Sequence, residues 1–353
     1  MLFEQQVKQI LEQCDILSMD SYRLQGEEFR VFHQQAWVEQ VDAIQQFGAN
    51  IVSNSDSQKQ QLQSHLGNSL YGLCYCGIPL DKLREPLPPA QERMQFMQQL
   101  SGYNIANSQP DVGWRIYHID DNGQIFTRKN GRLRPAYPGS YQLMSPAAGI
   151  AVNQYVQFPR IKENTRAQEA FYIVYGDTYL DRSMPQIRIY FHIKPDAVPG
   201  LLGTLTQALN YYKVPFSFKC INHPASYHRR DSAVLYVEKP DFDFTVRVLQ
   251  VHVFPELKQG LETDSPLFTQ PIVEGISYAE DPGQETSFGS SRSHWLAQAL
   301  VEAFAGGLSS PQERYQQVTQ FFAGKGIDMS RLHLNPHTRS LPELTQVADK
   351  ENQ

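Results

Sequence analysis

The sequence predicts an α+β protein with a helical N-terminal region, a mixed β-sheet domain that contains a βαβ unit, and helices at the C-terminus. Three observations support this prediction. Apolar residues recur at helical spacing in the first hundred positions. Alternating residues and turn dipeptides begin near position 112. A helix-like segment then separates two strand-like segments between 187 and 221.

The N-terminal region is rich in glutamine and has helical periodicity. Apolar residues in 3–11 fall on one helix face, and the segment 37–47 shows the same spacing. Residues 53–68 contain few apolar side chains, so they are predicted to form a mobile loop or linker, with a short solvated helix as the alternative. Prolines follow, and 92–104 has the pattern of one more helix.

The pattern changes to β-structure after position 112. The dipeptides Asn122-Gly123 and Asn130-Gly131 separate alternating segments, which is typical of β-hairpins. Further strands are predicted within 149–160 and 170–177.

The segment 187–193 alternates strictly, as a strand does. A helix at 198–213, a second strand at 214–221 and a third at 232–238 follow. The helix between the first two strands allows a βαβ crossover in which those strands are parallel.

The C-terminal part is predicted to be helical. One helix is expected to begin near Ser293, and another at Ser310-Pro311, where serine suits the N-cap and proline the first helical position. The expected organisation is a helical domain at 1–105, an α+β catalytic domain at 106–335 and a polar tail at 336–353.

Composition restricts the class of protein. The 353 residues include 31 basic and 37 acidic side chains, for a net charge of −6, so general nucleic-acid binding is not expected. No apolar run is long enough for a membrane span, and no signal peptide is evident. The four cysteines are too few for a disulfide framework and suit a reduced, cytoplasmic protein.

Polar residues occupy one face of the first predicted strand of the βαβ unit. Arg188, Tyr190 and His192 share this face, and a solvent-exposed sheet face is the simplest interpretation. Lys219, however, is a lone cation among apolar residues on the second strand. If both strands belong to one sheet, Lys219 can stand beside His192 and Arg188.

More cations follow in loops and near a predicted helix start. The loop after the second strand contains Arg229, Arg230 and Asp231, and Arg292 precedes the helix expected near Ser293. Helix N-termini favour anions, and guanidinium groups bind phosphate oxygens bidentately. Such a set in an acidic protein suits a phosphate-bearing substrate.

Other common sites lack their patterns. The sequence has no P-loop, no dinucleotide-binding glycine motif, no G-x-S-x-G and no H-E-x-x-H. Cys74 and Cys76 have no second pair, and Cys220 with His223 and His228 lacks a standard zinc spacing. No metal site is expected.

Five segments together resemble the HopA family, which includes type III secretion effectors of plant pathogens and the HopA-like lyases of class V lanthipeptide biosynthesis. The segments are RIYFH (188–192), VPFSFK (214–219), YHRRDSAVLY (227–236), AEDP (279–282) and ETSFGSSR (285–292). The resemblance covers roughly residues 110–325. The order of residues is also similar to that in phosphothreonine lyases of the OspF type, which use a histidine acid, a lysine base and arginines on the phosphate.

The resemblance implies elimination of phosphate from a phosphorylated precursor peptide made by the ribosome. A partner Ser/Thr peptide kinase would add the phosphate, and this protein would remove it by β-elimination, leaving dehydroalanine or dehydrobutyrine. No metal or organic cofactor is implied. The implied site consists of Lys219 as the base, His192 or Tyr190 as the proton donor, Arg188, Arg229, Arg230 and Arg292 as phosphate ligands, and Asp231 and Tyr236 in support. The R-x-D pattern favours Arg229 over Arg230 as the inward-facing arginine, with Asp231 orienting it.

The same residues are compatible with a second function. The same basic pocket would also suit a non-catalytic, effector-like module that holds a phosphorylated or acidic partner. A phosphatase would need a nucleophile or a metal pair, and neither is evident in the sequence. The helical N-terminal region could bind a leader peptide or could pack on the neighbouring domain.

Overall fold

The computed structural model describes residues 2–31, 54–83, 85–146, 149–257, 259–283 and 286–338, and it confirms the α+β class. The helices in this part of the chain are α1 (Leu2–Gln13), α2 (Asn54–Ser69), α3 (Ala90–Tyr103), α4 (Val198–Tyr211), α5 (Phe242–His252), α6 (Phe254–Leu257), α7 (Phe288–Ala305) and α8 (Pro311–Gly324). The strands are β1 (Cys14–Ser18), β2 (Ser21–Leu24), β3 (Glu27–Arg30), β4 (Asp111–Ile119), β5 (Ile125–Lys129), β6 (Arg132–Ala136), β7 (Gln142–Leu143), β8 (Tyr155–Phe158), β9 (Glu163–Asn164), β10 (Phe171–Tyr175), β11 (Gln186–Phe191), β12 (Phe216–Ile221), β13 (Ala233–Glu238), β14 (Gln270–Val273) and β15 (Ile276–Glu280). None of these helices is long and apolar enough to cross a membrane.

The N-terminal region differs from its prediction in two places. A three-stranded antiparallel sheet, β1-β2-β3, follows α1 directly. The prediction of a mobile loop at 53–68 is wrong, because α2 spans most of that segment. Leu62 and Leu66, one helical turn apart, are completely buried and fix α2 against the protein. The helix predicted at 37–47 lies outside the described residues.

The predicted hairpins are confirmed in a five-stranded antiparallel sheet ordered β6-β5-β4-β8-β7. Asn130 and Gly131 form the two-residue turn between β5 and β6, with φ values of 50° and 79°. Positive φ at both positions is what a type I′ turn requires, and asparagine with glycine supplies it at little steric cost. The buried ring of Trp114 lies in the core of this sheet.

A seven-stranded sheet ordered β14-β15-β11-β13-β12-β10-β9 is the centre of the protein. All of its strand ladders are antiparallel. Strands β11 and β12 do run in the same direction on either side of α4, as the βαβ prediction requires. However, β13 lies between them and pairs with both, so the βαβ unit is split.

Both faces of the central sheet are covered. Helices α3, α4 and α5 share a core with one face, which carries Ile187 and Ile189. The other face, with Tyr190 and Val234, shares a core with α1, α2 and α7. All six residues of β11 are therefore buried, and the interpretation of its polar face as solvent-exposed is wrong. Arg188 is only 9% exposed.

Candidate functional site

Strand register places two of the predicted cations, Lys219 of β12 and Arg188 of β11, on the same face of the central sheet. Arg188 pairs with Tyr236 on β13, and Tyr236 pairs with Ser217 on β12. Two residues further along β12, Lys219 pairs with Val234. Side chains two positions apart on a strand point the same way, so Lys219 lies on the same sheet face as Arg188, Tyr236 and Ser217. The α-carbons of Arg188 and Lys219 are about 12 Å apart by this geometry.

A cavity of about 830 Å³ lies over this surface, and we call it the central cleft. Arg188, Lys219, Tyr236 and Ser217 form part of its lining. Its sides are closed by residues 182–186, by residues 281–283 and 286–287, and by Gln168 from the loop before β10. The cleft therefore brings together residues that lie more than one hundred positions apart in sequence.

The Arg188 guanidinium is held in a fixed orientation at the cleft wall. Its Nε donates to Asp281 Oδ2 at 2.6 Å, and one terminal nitrogen donates to the carbonyl of Thr286 at 3.2 Å. Burial works against the charge of Arg188, but nearby tyrosines and Asp281 more than compensate, so its pKa rises. Arg188 remains a cation with its remaining N–H groups free to bind an anion.

Lys219 reaches the cleft between two aromatic rings. Its Nζ lies 4.4 Å from the centroid of the Phe171 ring and 5.8 Å from that of Tyr236. Its hydrogen bond goes to Gln168 Oε1 at 3.3 Å, which is an amide oxygen. No carboxylate among the described residues forms an ion pair with it. The amine is therefore held in the cleft by an amide oxygen and two aromatic rings, without an ion pair to a described carboxylate.

Helix α7 begins at the edge of the cleft. The predicted start near Ser293 is wrong by five residues, because the helix begins at Phe288 with Ser287 as its N-cap. The Ser287 hydroxyl accepts from the backbone N–H of Ser290 at 3.0 Å. Ser287 also lines the cleft, so the positive end of the helix dipole faces the same space as Arg188.

Arg229 and Asp231 form a buried bidentate pair next to the cleft. Arg229 donates to both oxygens of Asp231, at 2.7 and 2.8 Å. Arg229 also donates to Tyr71 Oη at 3.3 Å, and its guanidinium is 5.9 Å from the Phe171 ring that Lys219 contacts. Burial raises the pKa of Asp231, but the charge of Arg229 outweighs it and the pKa is lowered. Arg229 does not line the central cleft.

The two predicted proton donors also lie outside the cleft lining. Tyr190 is 2% exposed and packs edge-on against Tyr75, with ring centroids 6.4 Å apart. Burial raises the pKa of Tyr190. His192 follows β11 and its Nδ1 lies 3.0 Å from the carbonyl oxygen of Asp264. Burial lowers the pKa of His192.

Arg230 lies with His192 rather than with Lys219. Its guanidinium donates to the Cys74 carbonyl at 3.0 Å and to Asp264 Oδ2 at 3.2 Å. Asp264 therefore contacts both Arg230 and His192. This group of three residues lies outside the lining of the central cleft.

Arg292 is a structural residue in this fold. It is completely buried and donates to the carbonyls of Leu332 and Leu334, at 3.0 and 2.7 Å. Its guanidinium also lies 4.6 Å from the centroid of the Trp295 ring. Because α7 begins earlier than predicted, Arg292 lies inside the helix and not at its start. The structure does not bring it to the cleft.

Sequence reasoning missed several cleft residues. They are Gln168, Arg182, Ser217, Asp281, Thr286 and Ser287. Ser217, Asp281, Thr286 and Ser287 had a sequence signal, because they fall inside the segments that resemble the HopA family, whereas Gln168 and Arg182 had none. Within the described residues, no three histidine, cysteine, aspartate or glutamate side chains are grouped to hold a metal ion.

Comparison with protein-family models gives a match to the HopA1 effector protein family over residues 162–334. Residues 162–334 belong to the HopA1 family. The expected resemblance is therefore confirmed for this segment, which contains Lys219, Arg188, Tyr236 and all seven strands of the central sheet. No curated protein sequence matches the chain.

Two solved structures of Pseudomonas syringae effector proteins are similar to this chain. The effector from pv. tomato strain DC3000 is 15% identical, with a TM-score of 0.44, and the match covers 85% of this chain and 95% of that one. The effector from pv. syringae strain 61 is 16% identical, also with a TM-score of 0.44, and the match covers 87% and 99%.

Proposed function

We propose that this protein is a phosphoserine/phosphothreonine lyase that eliminates phosphate from a ribosomally made precursor peptide in lanthipeptide biosynthesis. One observation carries the proposal: Lys219 and Arg188 line the same cleft, on either side of the Tyr236 ring. In this arrangement a base and a phosphate ligand can reach the Cα proton and the phosphate group of the same phosphorylated residue.

Lys219 acts as the base in this proposal. The neutral amine takes the Cα proton of the phosphorylated residue, and the electron pair of that C–H bond forms the Cα=Cβ double bond. The Cβ–O bond breaks, and phosphate leaves with the bonding electron pair. Lys219 suits this role because its hydrogen-bond acceptor is the Gln168 amide and its other neighbours are aromatic rings.

Arg188 and the start of α7 neutralise the leaving phosphate. The phosphate dianion develops its charge on the oxygens that face these groups. Asp281 and the Thr286 carbonyl hold the guanidinium in place before the substrate binds, which reduces the entropy lost on binding. No cofactor takes part in this scheme.

Tyr236 is the candidate proton donor to the bridging oxygen, because its side chain lines the cleft between the two cations. His192 and Tyr190, which the sequence suggested for this role, lie outside the cleft lining. Arg229 and Asp231 would then support the site indirectly, through the Phe171 ring that Arg229 shares with Lys219.

The substrate must reach the cleft already phosphorylated. We propose that a separate Ser/Thr peptide kinase adds the phosphate, and that the kinase and this protein both act in the cytoplasm. The competing function is a non-catalytic, effector-like module that holds a phosphorylated or acidic partner in the same cleft. The family's description as effector proteins favours that second candidate.

Mass spectrometry of a phosphothreonine peptide, after incubation with the purified protein and a thiol, tests the proposal. Elimination predicts loss of phosphoric acid and a thioether adduct at the former threonine. Loss of phosphate with the hydroxyl retained would show a phosphatase. An intact cognate phosphopeptide that remains bound would favour the non-catalytic module.

A further inference from the structure

A second cavity, of about 360 Å³, lies between the five-stranded sheet and the central sheet. Three arginines line it: Arg134 from β6, Arg160 after β8 and Arg182 before β11. We call it the arginine cavity. Three guanidinium groups around one small cavity repel one another unless an anion lies among them.

Arg134 is held in this cavity by aromatic rings. Its guanidinium carbon lies 3.5 Å from the centroid of the Phe158 ring and 4.5 Å from that of Tyr179. It forms no hydrogen bond or ion pair through its side chain with any residue that the structure describes. Burial lowers the pKa of Arg134, and Tyr179 and Asp111 oppose this shift only in part. A guanidinium stacked on rings keeps its N–H edge free for an oxygen anion.

The carboxylates that line the arginine cavity are engaged elsewhere. Asp111 accepts from Lys129 at 2.5 Å and from the indole of Trp114 at 2.8 Å. Asp177 accepts from the backbone N–H of Asn107 at 2.6 Å. Arg160 lies 3.4 Å from Asp111, and the charge of Asp111 also acts on Arg134. Asp111 is thus shared with Lys129, and the three arginines outnumber the two carboxylates of the described lining.

The arginine cavity adjoins the central cleft. Arg182 lines both, is exposed, and forms no hydrogen bond or ion pair with the described residues. Tyr175 in the arginine cavity pairs in register with Ser217 in the central cleft, two residues from Lys219. Tyr175 and Lys219 are therefore diagonal neighbours on the two strands, about 8 Å apart. An extended peptide covers that distance with roughly two to three residues.

We propose that the arginine cavity is a second anion subsite of the same substrate. It binds a carboxylate or a second phosphate on the peptide, about two or three residues from the residue whose phosphate is eliminated. This inference rests on the proposed function, because it assumes that a phosphorylated peptide occupies the central cleft. It adds a requirement on the substrate: a second anion at a defined spacing. Arg182 joins the two subsites.

Binding measurements with the full chain test this subsite. The probe is a fluorescent peptide with one α-methylphosphoserine, which lacks the Cα proton and is therefore not consumed. In a matched series, one glutamate or one further α-methylphosphoserine replaces alanine at each of the four positions on either side. We expect a second anion two or three residues away to raise the affinity about tenfold, or about 1.4 kcal/mol. The comparison of glutamate with the second α-methylphosphoserine shows which anion the subsite prefers.

The variant Arg182→Gln should reduce that gain, measured as the ratio of the affinities of the doubly and singly charged probes in the same variant, to less than twofold. Arg247→Gln, an equal charge change on α5, should leave the gain intact. Equal gains at every position, or the same gain in the Arg182 variant, would overturn the inference. A probe that binds without any gain removes only this inference. A probe that does not bind at all removes the proposed function with it.

Discussion

Lys219 and Arg188 are separated by the ring of Tyr236. The Lys219 Nζ lies 5.8 Å from the centroid of this ring, and the Arg188 guanidinium carbon lies 5.3 Å from it. Tyr236 belongs to β13, the strand that pairs with both β11 and β12. The split βαβ unit therefore fixes the separation of the two cations. In the proposed reaction, Lys219 takes the proton as a neutral amine and Arg188 binds the phosphate.

Replacement of the proposed base should abolish elimination without abolishing binding. We expect Lys219→Ala to lower the elimination rate at least a hundredfold, which is typical for the loss of a general base. Affinity for the phosphopeptide should change only a few-fold, because Arg188 remains. Lys194→Ala, at an exposed lysine just beyond β11, is the matched control. Full activity in the Lys219 variant would show that another group removes the proton.

Removal of the phosphate ligand should weaken binding of the phosphorylated peptide specifically. We expect Arg188→Gln to lower its affinity at least tenfold, since a charge-assisted hydrogen bond is lost. Binding of the unphosphorylated peptide should not change. Titration calorimetry with both peptides measures the difference. Equal losses for both would mean that the substitution disturbs the cleft wall around Asp281 and not a phosphate contact.

The Tyr236 hydroxyl can be separated from the Tyr236 ring. Tyr236→Phe keeps the ring between the two cations and should lower the elimination rate at least tenfold at unchanged affinity, if the hydroxyl donates the proton. Tyr236→Leu should lower both. Single-turnover kinetics separate rate from binding. An unchanged rate in the phenylalanine variant would mean that phosphate leaves without a proton from Tyr236.

Arg292 should matter for stability and not for chemistry. In Arg292→Met the carbonyls of Leu332 and Leu334 lose their buried donors, which we expect to cost about 2–4 kcal/mol of unfolding free energy. Denaturant unfolding measures this loss. The fraction that remains folded should eliminate phosphate at nearly the normal rate. A stable variant without activity would contradict the structural role.

His333 should make the fold sensitive to acid. Burial lowers its pKa from the ordinary 6.5 to about 4, and its ring lies between Phe3 and Tyr278. The unfolded chain binds the proton more readily, so stability is lost as the pH falls from 6.5 towards 4. The loss should approach about 3 kcal/mol. In His333→Phe this part of the pH dependence should disappear. Identical pH profiles in the two proteins would refute the assignment.

The features that could be predicted from the sequence are those that depend on a few neighbouring residues. Asn130-Gly131 marked a turn because few residues tolerate positive φ, and Ser310-Pro311 marked a helix start that the structure confirms with a capping box. Alternation assigned Arg188 and Ile187 to opposite faces of β11. Resemblance pointed to Lys219, which does line the cleft.

The remaining errors come from tertiary packing. Residues 54–69 contain few apolar side chains, yet two leucines in the right phase are enough to bury the helix. The inserted strand β13 could not be inferred from a local βαβ pattern. Arg182 has no distinctive neighbours in the sequence, because its position depends on how two sheets meet.

The source of the oxygen in the released phosphate tests elimination most directly. The reaction would be run in isotopically labelled water, and both products would be weighed by mass spectrometry. Elimination breaks the Cβ–O bond, so we predict unlabelled phosphate and a peptide with a double bond that a thiol traps. Phosphate that carries one labelled oxygen, together with a restored threonine hydroxyl, would contradict the proposed lyase.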